Sequence, residues 1–103
     1  MKILISGRPA TGKTIYAKYL ADTRYSYPIY ESASFNDFSV LVEKIKNIEN
    51  CIVVIQHHQS FRANLNFDLH FECMRNIDEF EKFFVKSPTG DEEHLFSDMN
   101  KYY

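Results

Sequence analysis

One run of residues, Gly7-Arg8-Pro9-Ala10-Thr11-Gly12-Lys13-Thr14, has the types and the spacing from which phosphate chemistry is built. It fits G-x-x-x-x-G-K-[ST] without a mismatch. Glycines let the backbone fold into a nest whose N–H groups face phosphate oxygens. Lys13 reaches terminal phosphates, and the Thr14 hydroxyl can sit on a Mg²⁺ ion. A helix after the loop adds the positive end of its dipole and its unpaired N–H groups.

Other chemistry-bearing residues cluster after a second apolar run. Cys51-Ile52-Val53-Val54-Ile55 leads into Gln56-His57-His58-Gln59-Ser60. Ligands of open α/β sheets bind beyond the carboxyl ends of the strands, which places Gln56 and His57 near the phosphate loop if the two strands are adjacent. Arg62 and Arg75 can neutralise the charge of a transferred phosphate, or stand as solvated surface arginines. His57, His58, Asp68, His70 and Glu72 suit a divalent ion by type. The simpler reading of Asp68, His70 and Glu72 is the polar face of an alternating strand. Ser60 has no nucleophile-elbow context around it.

The elements that must position these residues follow from periodicity. Lys2-Ile3-Leu4-Ile5-Ser6 is a short apolar run, as in a buried parallel strand. A helix starts at Thr14, with Ile15, Tyr19 and Leu20 on one side, and Pro28 ends any continuation. Ile29-Tyr30-Glu31 reads as a very short strand. Ser34-Phe35-Asn36-Asp37 fits a capping box ahead of a helix whose Phe38, Leu41, Val42, Ile45 and Ile48 recur at helical spacing. Cys51 to Ile55 predicts a central strand buried on both faces. From Phe67 to Met74 apolar and polar residues alternate, predicting a half-buried strand at an edge or in an antiparallel pair. Asn76-Ile77-Asp78-Glu79 predicts a further helix start, with Phe80, Phe83 and Phe84 as its apolar stripe. The expected fold is α/β: a compact, largely parallel sheet of about four strands flanked by helices. Residues 1–90 form that domain, and residues 91–103 form an acidic C-terminal tail, docked or disordered.

Composition sets outer limits. The chain has 103 residues, a formal charge of −2 and 16% aromatic content. The charge lacks the basic footprint of a stand-alone nucleic-acid binder. Cys51 and Cys73 sit in apolar runs, the pattern of buried thiols in a reducing compartment. No apolar run reaches the ~18 residues of a membrane span, so a cytoplasmic protein without membrane contact is expected.

The loop and its strand–helix setting resemble the P-loop NTPase superfamily. The G-x-P-x-T-G-K-T form is closest to AAA+ and related ring ATPases, departing from the commonest version at Ala10, where Gly is usual. Ile55-Gln56 followed by Arg62-Ala63-Asn64 is similar, more loosely, to the sensor region of DNA-pumping ATPases of the HerA/FtsK type. The resemblance implies ATP (or GTP) and Mg²⁺ as cofactors, with residues 7–14 as the cradle and Thr14 as the metal ligand. It implies hydrolysis, with Lys13, Gln56 and Arg62 in the catalytic set, and a place in a DNA-handling or packaging assembly; DNA as a partner is not indicated by the charge. A homo-oligomer or larger assembly is expected, because a small sheet leaves an edge to cover. The superfamily also requires an apolar strand ending in Asp or Glu, and none fits well: the Cys51 run ends in Gln56. Glu31 is the candidate acid in a shortened fold. Two alternatives use the same loop: a small-molecule kinase, and a non-catalytic nucleotide-binding module.

Overall fold

The middle of the sheet is β1 (Lys2–Gly7), whose apolar run is buried from Ile3 onward. In the computed structural model, which describes residues 1–35, 37–56, 66–75 and 80–103, it is followed by α1 (Lys13–Thr23) and β2 (Ile29–Glu31). A 3-10 turn (Ser32–Ser34) leads to α2 (Phe38–Ile45) and β3 (Cys51–Gln56). Then come β4 (Leu69–Met74), β5 (Lys82–Ser87), β6 (Gly90–Leu95) and a 3-10 helix (Phe96–Tyr102).

The strand order is β2-β3-β1-β4-β5-β6. Strands β2, β3, β1 and β4 run parallel, while β4–β5 and β5–β6 are antiparallel. The register sets Gly7 opposite Gln56 on one side and opposite Cys73 on the other. The loop after β1 therefore emerges between two strand ends, where the chain's connections diverge to opposite sides of β1. Such a crevice is where open sheets bind ligands.

Two apolar layers hold this arrangement. On one face, Tyr16, Ala17 and Leu20 of α1 pack with Ile3, Ile5, Ile52, Val54, Phe71, Phe83 and Val85, joined by Met99. On the other, Leu41 and Ile45 of α2 pack on Leu4, Cys51, Val53 and Ile55. Each fully buried side chain of this size contributes about 1.5–3 kcal/mol. The buried line of α1 is thus Tyr16, Ala17 and Leu20, with Ile15 and Tyr19 at its margins. Asp37 is the N-cap of α2, its carboxylate accepting from the Ser39 amide at 3.1 Å, whereas Ser34 belongs to the preceding turn. Cys51 and Cys73 are buried free thiols. Among the described residues, no helix is long and apolar enough to cross a membrane.

The expected sheet of about four largely parallel strands flanked by helices is overturned: among the described residues the sheet has six strands and is mixed. The error lies after residue 80. Phe80, Phe83 and Phe84 satisfy helical spacing, but residues 82–87 form a strand in which Phe83 and Val85 are buried on alternate positions. Phe80 is 73% exposed, so it forms no stripe with them. Pro88 and Thr89 turn the chain, and Gly90, at φ +142°, opens β6 against β5. The stretch after residue 90 is consequently a paired strand followed by a helix docked through Met99. Strand β4 is interior, parallel to β1 and antiparallel to β5. The proposed helix start at residues 76–79 lies outside the described residues.

Candidate functional site

Between β1 and α1 the backbone takes positive φ at Gly7 (+154°), Ala10 (+62°) and Gly12 (+83°). Positive-φ residues interspersed with negative-φ ones curve the backbone, and such curvature can line a concavity with N–H groups. Ala10 adopts this conformation although it is not glycine, which costs on the order of 1 kcal/mol. Inside the loop the Thr11 hydroxyl donates to the Arg8 carbonyl at 2.7 Å, and Thr11 is itself buried. Gly12 is the N-cap of α1, and no side chain caps the helix there. That leaves the first-turn amides available to an anion.

Lys13 reaches back over the loop, its Nζ donating to the Gly7 carbonyl at 2.8 Å. Among the described residues no carboxylate pairs with it. Partial burial pushes its ammonium below the ordinary lysine range, offset in part by nearby Cys73. A partly desolvated cation resting on a neutral carbonyl gains from an arriving anion. Cys73 does not supply one, because burial pushes its thiol up to about 12.

Two hollows flank the loop. On the β3 side a cleft of about 180 Å³ is lined by Lys13, Thr14, Glu31, Ser32 and Gln56. The ends of β2 and β3 thus bring Glu31 and Gln56 to the lysine and threonine of the loop. On the β4 side a hollow of about 310 Å³ is lined by Arg8, Thr11, Glu72 and Arg75. Arg75 acts there as a clamp: it donates to the carbonyls of Ala10 (3.3 Å) and Phe80 (3.0 Å) and lies 5.0 Å over the Phe96 ring.

Of the residues singled out from sequence, Gly7, Thr11, Gly12, Lys13 and Thr14 occupy the loop and helix start, with Arg8, Pro9 and Ala10 on its exposed outer side. Arg62, His57 and His58 lie outside the described residues. Asp68 sits at the far end of the sheet, accepting from the Lys2 amide at 2.8 Å, so it shares no site with Glu72. His70 Nε2 lies 2.6 Å from the buried Ser6 hydroxyl. Among the described residues, no three His, Cys, Asp or Glu side chains gather as a metal cage. Sequence reasoning missed two supports of the loop. A Cβ on Gly7 would lie 2.6 Å from the Cys73 carbonyl oxygen, and one on Gly12 would lie 3.3 Å from the Phe83 ring. Both are contacts across the sheet and leave no local signal.

Comparison of the chain with known protein families, curated proteins and solved structures finds no match in any of the three.

Proposed function

We propose that the chain binds a Mg²⁺-nucleoside triphosphate through residues 7–14 and hydrolyses its terminal phosphoanhydride. The observation that carries this reading is Lys13: a partly desolvated ammonium at the carboxyl end of the central strand, resting on the Gly7 carbonyl with no carboxylate partner among the described residues. On binding, Lys13 Nζ exchanges the carbonyl for phosphate oxygens, while the loop amides and the uncapped start of α1 receive the remaining charge.

The donors of the β3-side cleft fit Mg²⁺, which takes oxygen ligands and is held by one or two protein groups together with substrate phosphates. Thr14 and Glu31 are the residues that would hold it, and the ion would supply charge neutralisation on the phosphate oxygens. Gln56 and Glu31 orient a water whose oxygen bonds to the γ-phosphorus. The bond to the β,γ-bridging oxygen breaks, its electron pair leaves on the diphosphate, and the two protons of the water stay on the oxygens of the released phosphate. Positioning and charge stabilisation supply most of such catalysis. Placement of this activity in a ring or DNA-handling assembly rests on the form of the motif alone.

Titration of ATP and of GTP with Mg²⁺ against wild type and Lys13→Ala tests the reading. Loss of charge-assisted hydrogen bonds predicts affinity weaker by about tenfold to a hundredfold in the variant. Equal affinity in both proteins overturns the proposal. Glu31→Gln should lower phosphate release by about a hundredfold while weakening Mg²⁺-nucleotide binding less than Lys13→Ala does.

A further inference from the structure

Among the described residues, Ala10 is the one non-glycine residue at positive φ, +62°. A Cβ in that region crowds its own backbone, a cost that glycine escapes. Such a conformation persists only where its surroundings hold it.

Two side-chain hydrogen bonds bracket it. Before Ala10, the Arg8 carbonyl accepts from the Thr11 hydroxyl at 2.7 Å, which closes the turn across the strained residue. After it, the Ala10 carbonyl accepts from Arg75 Nη1 at 3.3 Å. The sheet explains how so distant a residue arrives there. Cys73 stands opposite Gly7, so the chain leaving β4 at Met74 passes beside the chain leaving β1, and Arg75 is the first residue past the strand.

The guanidinium is anchored at its other end as well. Its Nη2 donates to the Phe80 carbonyl at 3.0 Å, and its Cζ lies 5.0 Å over the Phe96 ring and 5.8 Å over the Phe80 ring. A planar fork can meet two carbonyls and stack on rings at once; an ammonium is a compact point charge without that plane. Phe80 lies just before β5 and Phe96 opens the C-terminal 3-10 helix, so both anchors belong to the antiparallel half of the molecule.

We propose that Arg75 is a positioning residue for the β1–α1 loop: it holds the Ala10 carbonyl so that an alanine keeps the left-handed conformation a glycine would take unaided. Its consequence for ligand affinity rests on nucleotide binding at residues 7–14. Arg75 acts on the nucleotide through the backbone it holds, not through its charge. Without it, Ala10 relaxes to negative φ and the loop loses part of its curvature. With glycine at position 10 that relaxation has no steric drive, and the need for Arg75 falls.

The test compares wild type, Arg75→Ala, Arg75→Lys, and Arg75→Ala in an Ala10→Gly background, each as the full chain. At positive φ the amide and α protons of one residue lie close together. Ala10 should therefore give a strong intraresidue nuclear Overhauser peak in nucleotide-free wild type and a weak one in both single Arg75 variants. Calorimetric titration with Mg-ATP should show affinity about tenfold weaker in Arg75→Ala and nearly as weak in Arg75→Lys. In the Ala10→Gly background the same Arg75→Ala change should weaken affinity about twofold at most. A strong Ala10 peak in Arg75→Ala overturns the inference. Wild-type affinity in Arg75→Lys overturns it too, since charge alone would then suffice, and so does an equal loss with alanine or glycine at position 10. A lower urea midpoint in Arg75→Ala with unchanged ATP affinity reduces Arg75 to a support of β5 and likewise overturns it. Absence of ATP binding by wild type overturns the nucleotide reading instead, and the Ala10 peak then decides the role of Arg75 by itself.

Discussion

At Gly7 the backbone takes φ +154°, and a side chain there would set its Cβ 2.6 Å from the Cys73 carbonyl oxygen and 2.9 Å from Thr11 Oγ1. Backbone cannot yield as a flexible side chain can, so the close approach of the loop to β4 leaves room at this position for a hydrogen atom and not for a side chain. Gly7→Ala should lower stability by about 1–3 kcal/mol from the backbone conformation alone, with the close contact adding to it. The urea midpoint reads this, and nucleotide affinity should fall with it; an unchanged midpoint would show that the loop is not pressed against β4. The turn between β1 and α1 was legible in sequence because its parts are contiguous, with Gly7 and Gly12 at two of its positive-φ positions. Glu31 and Gln56 were legible more indirectly, as residues at strand ends. Arg75 was legible as a cation, but not as a clamp on Ala10, because that contact spans 65 positions.

Phe83 shows how an element can be misread. It is fully buried, with Tyr16, His94 and Phe96 rings 4.9–6.5 Å away between centroids, and its ring lies under Gly12. Phenylalanines at 80, 83 and 84 fit a helix; Phe83 and Val85, with lysines on either side, fit a strand equally well. Short apolar runs do not separate these periods, and pairing with β4 and β6 decides between them. Strands β1 and β3 were legible because their β-branched runs admit no polar face. Truncation by Phe83→Ala should cost about 3–5 kcal/mol. Because the ring supports the loop from below, thermal unfolding should shift downward and ATP affinity should weaken together. A variant with normal affinity would separate β5 from the site.

Across the whole molecule, the antiparallel half is tied to α1 through Glu92. Its carboxylate accepts from the Tyr16 hydroxyl at 2.9 Å and from Arg24 at 3.2 Å, and His94 Nε2 lies 3.0 Å away. Burial works against its charge, yet hydrogen bonds from His94, Arg24 and Tyr16 hold its carboxyl below the usual range. Burial, and then the bond to Glu92, push the Tyr16 phenol up. The signs are opposite. A depressed carboxylate contributes stability present above its unfolded pKa of about 4.3 and lost as pH falls through the lower folded value. A raised phenol contributes stability fully present below about pH 10 and lost as pH rises from there toward the folded value. Urea midpoints should therefore hold between about pH 5 and 9 and decline on both sides. Glu92→Gln should flatten the acid decline, and Tyr16→Phe the alkaline one; a Tyr16→Phe curve that falls as steeply as wild type above pH 10 would remove Tyr16 from the account. None of this tie was visible in the sequence, where Tyr16 and Glu92 stand 76 positions apart.

The central place of β1 has a consequence for how the chain is made. Of the strands among the described residues β1 leaves the ribosome first, yet its partners are residues 51–56 and 69–73. At about 5–20 residues per second its apolar run waits several seconds before both flanks exist. The start of the β1–α1 loop pairs with β4 at Gly7 and Cys73, so that contact waits for β4 as well. A strand made before its partners thus completes its pairing only when both have followed it.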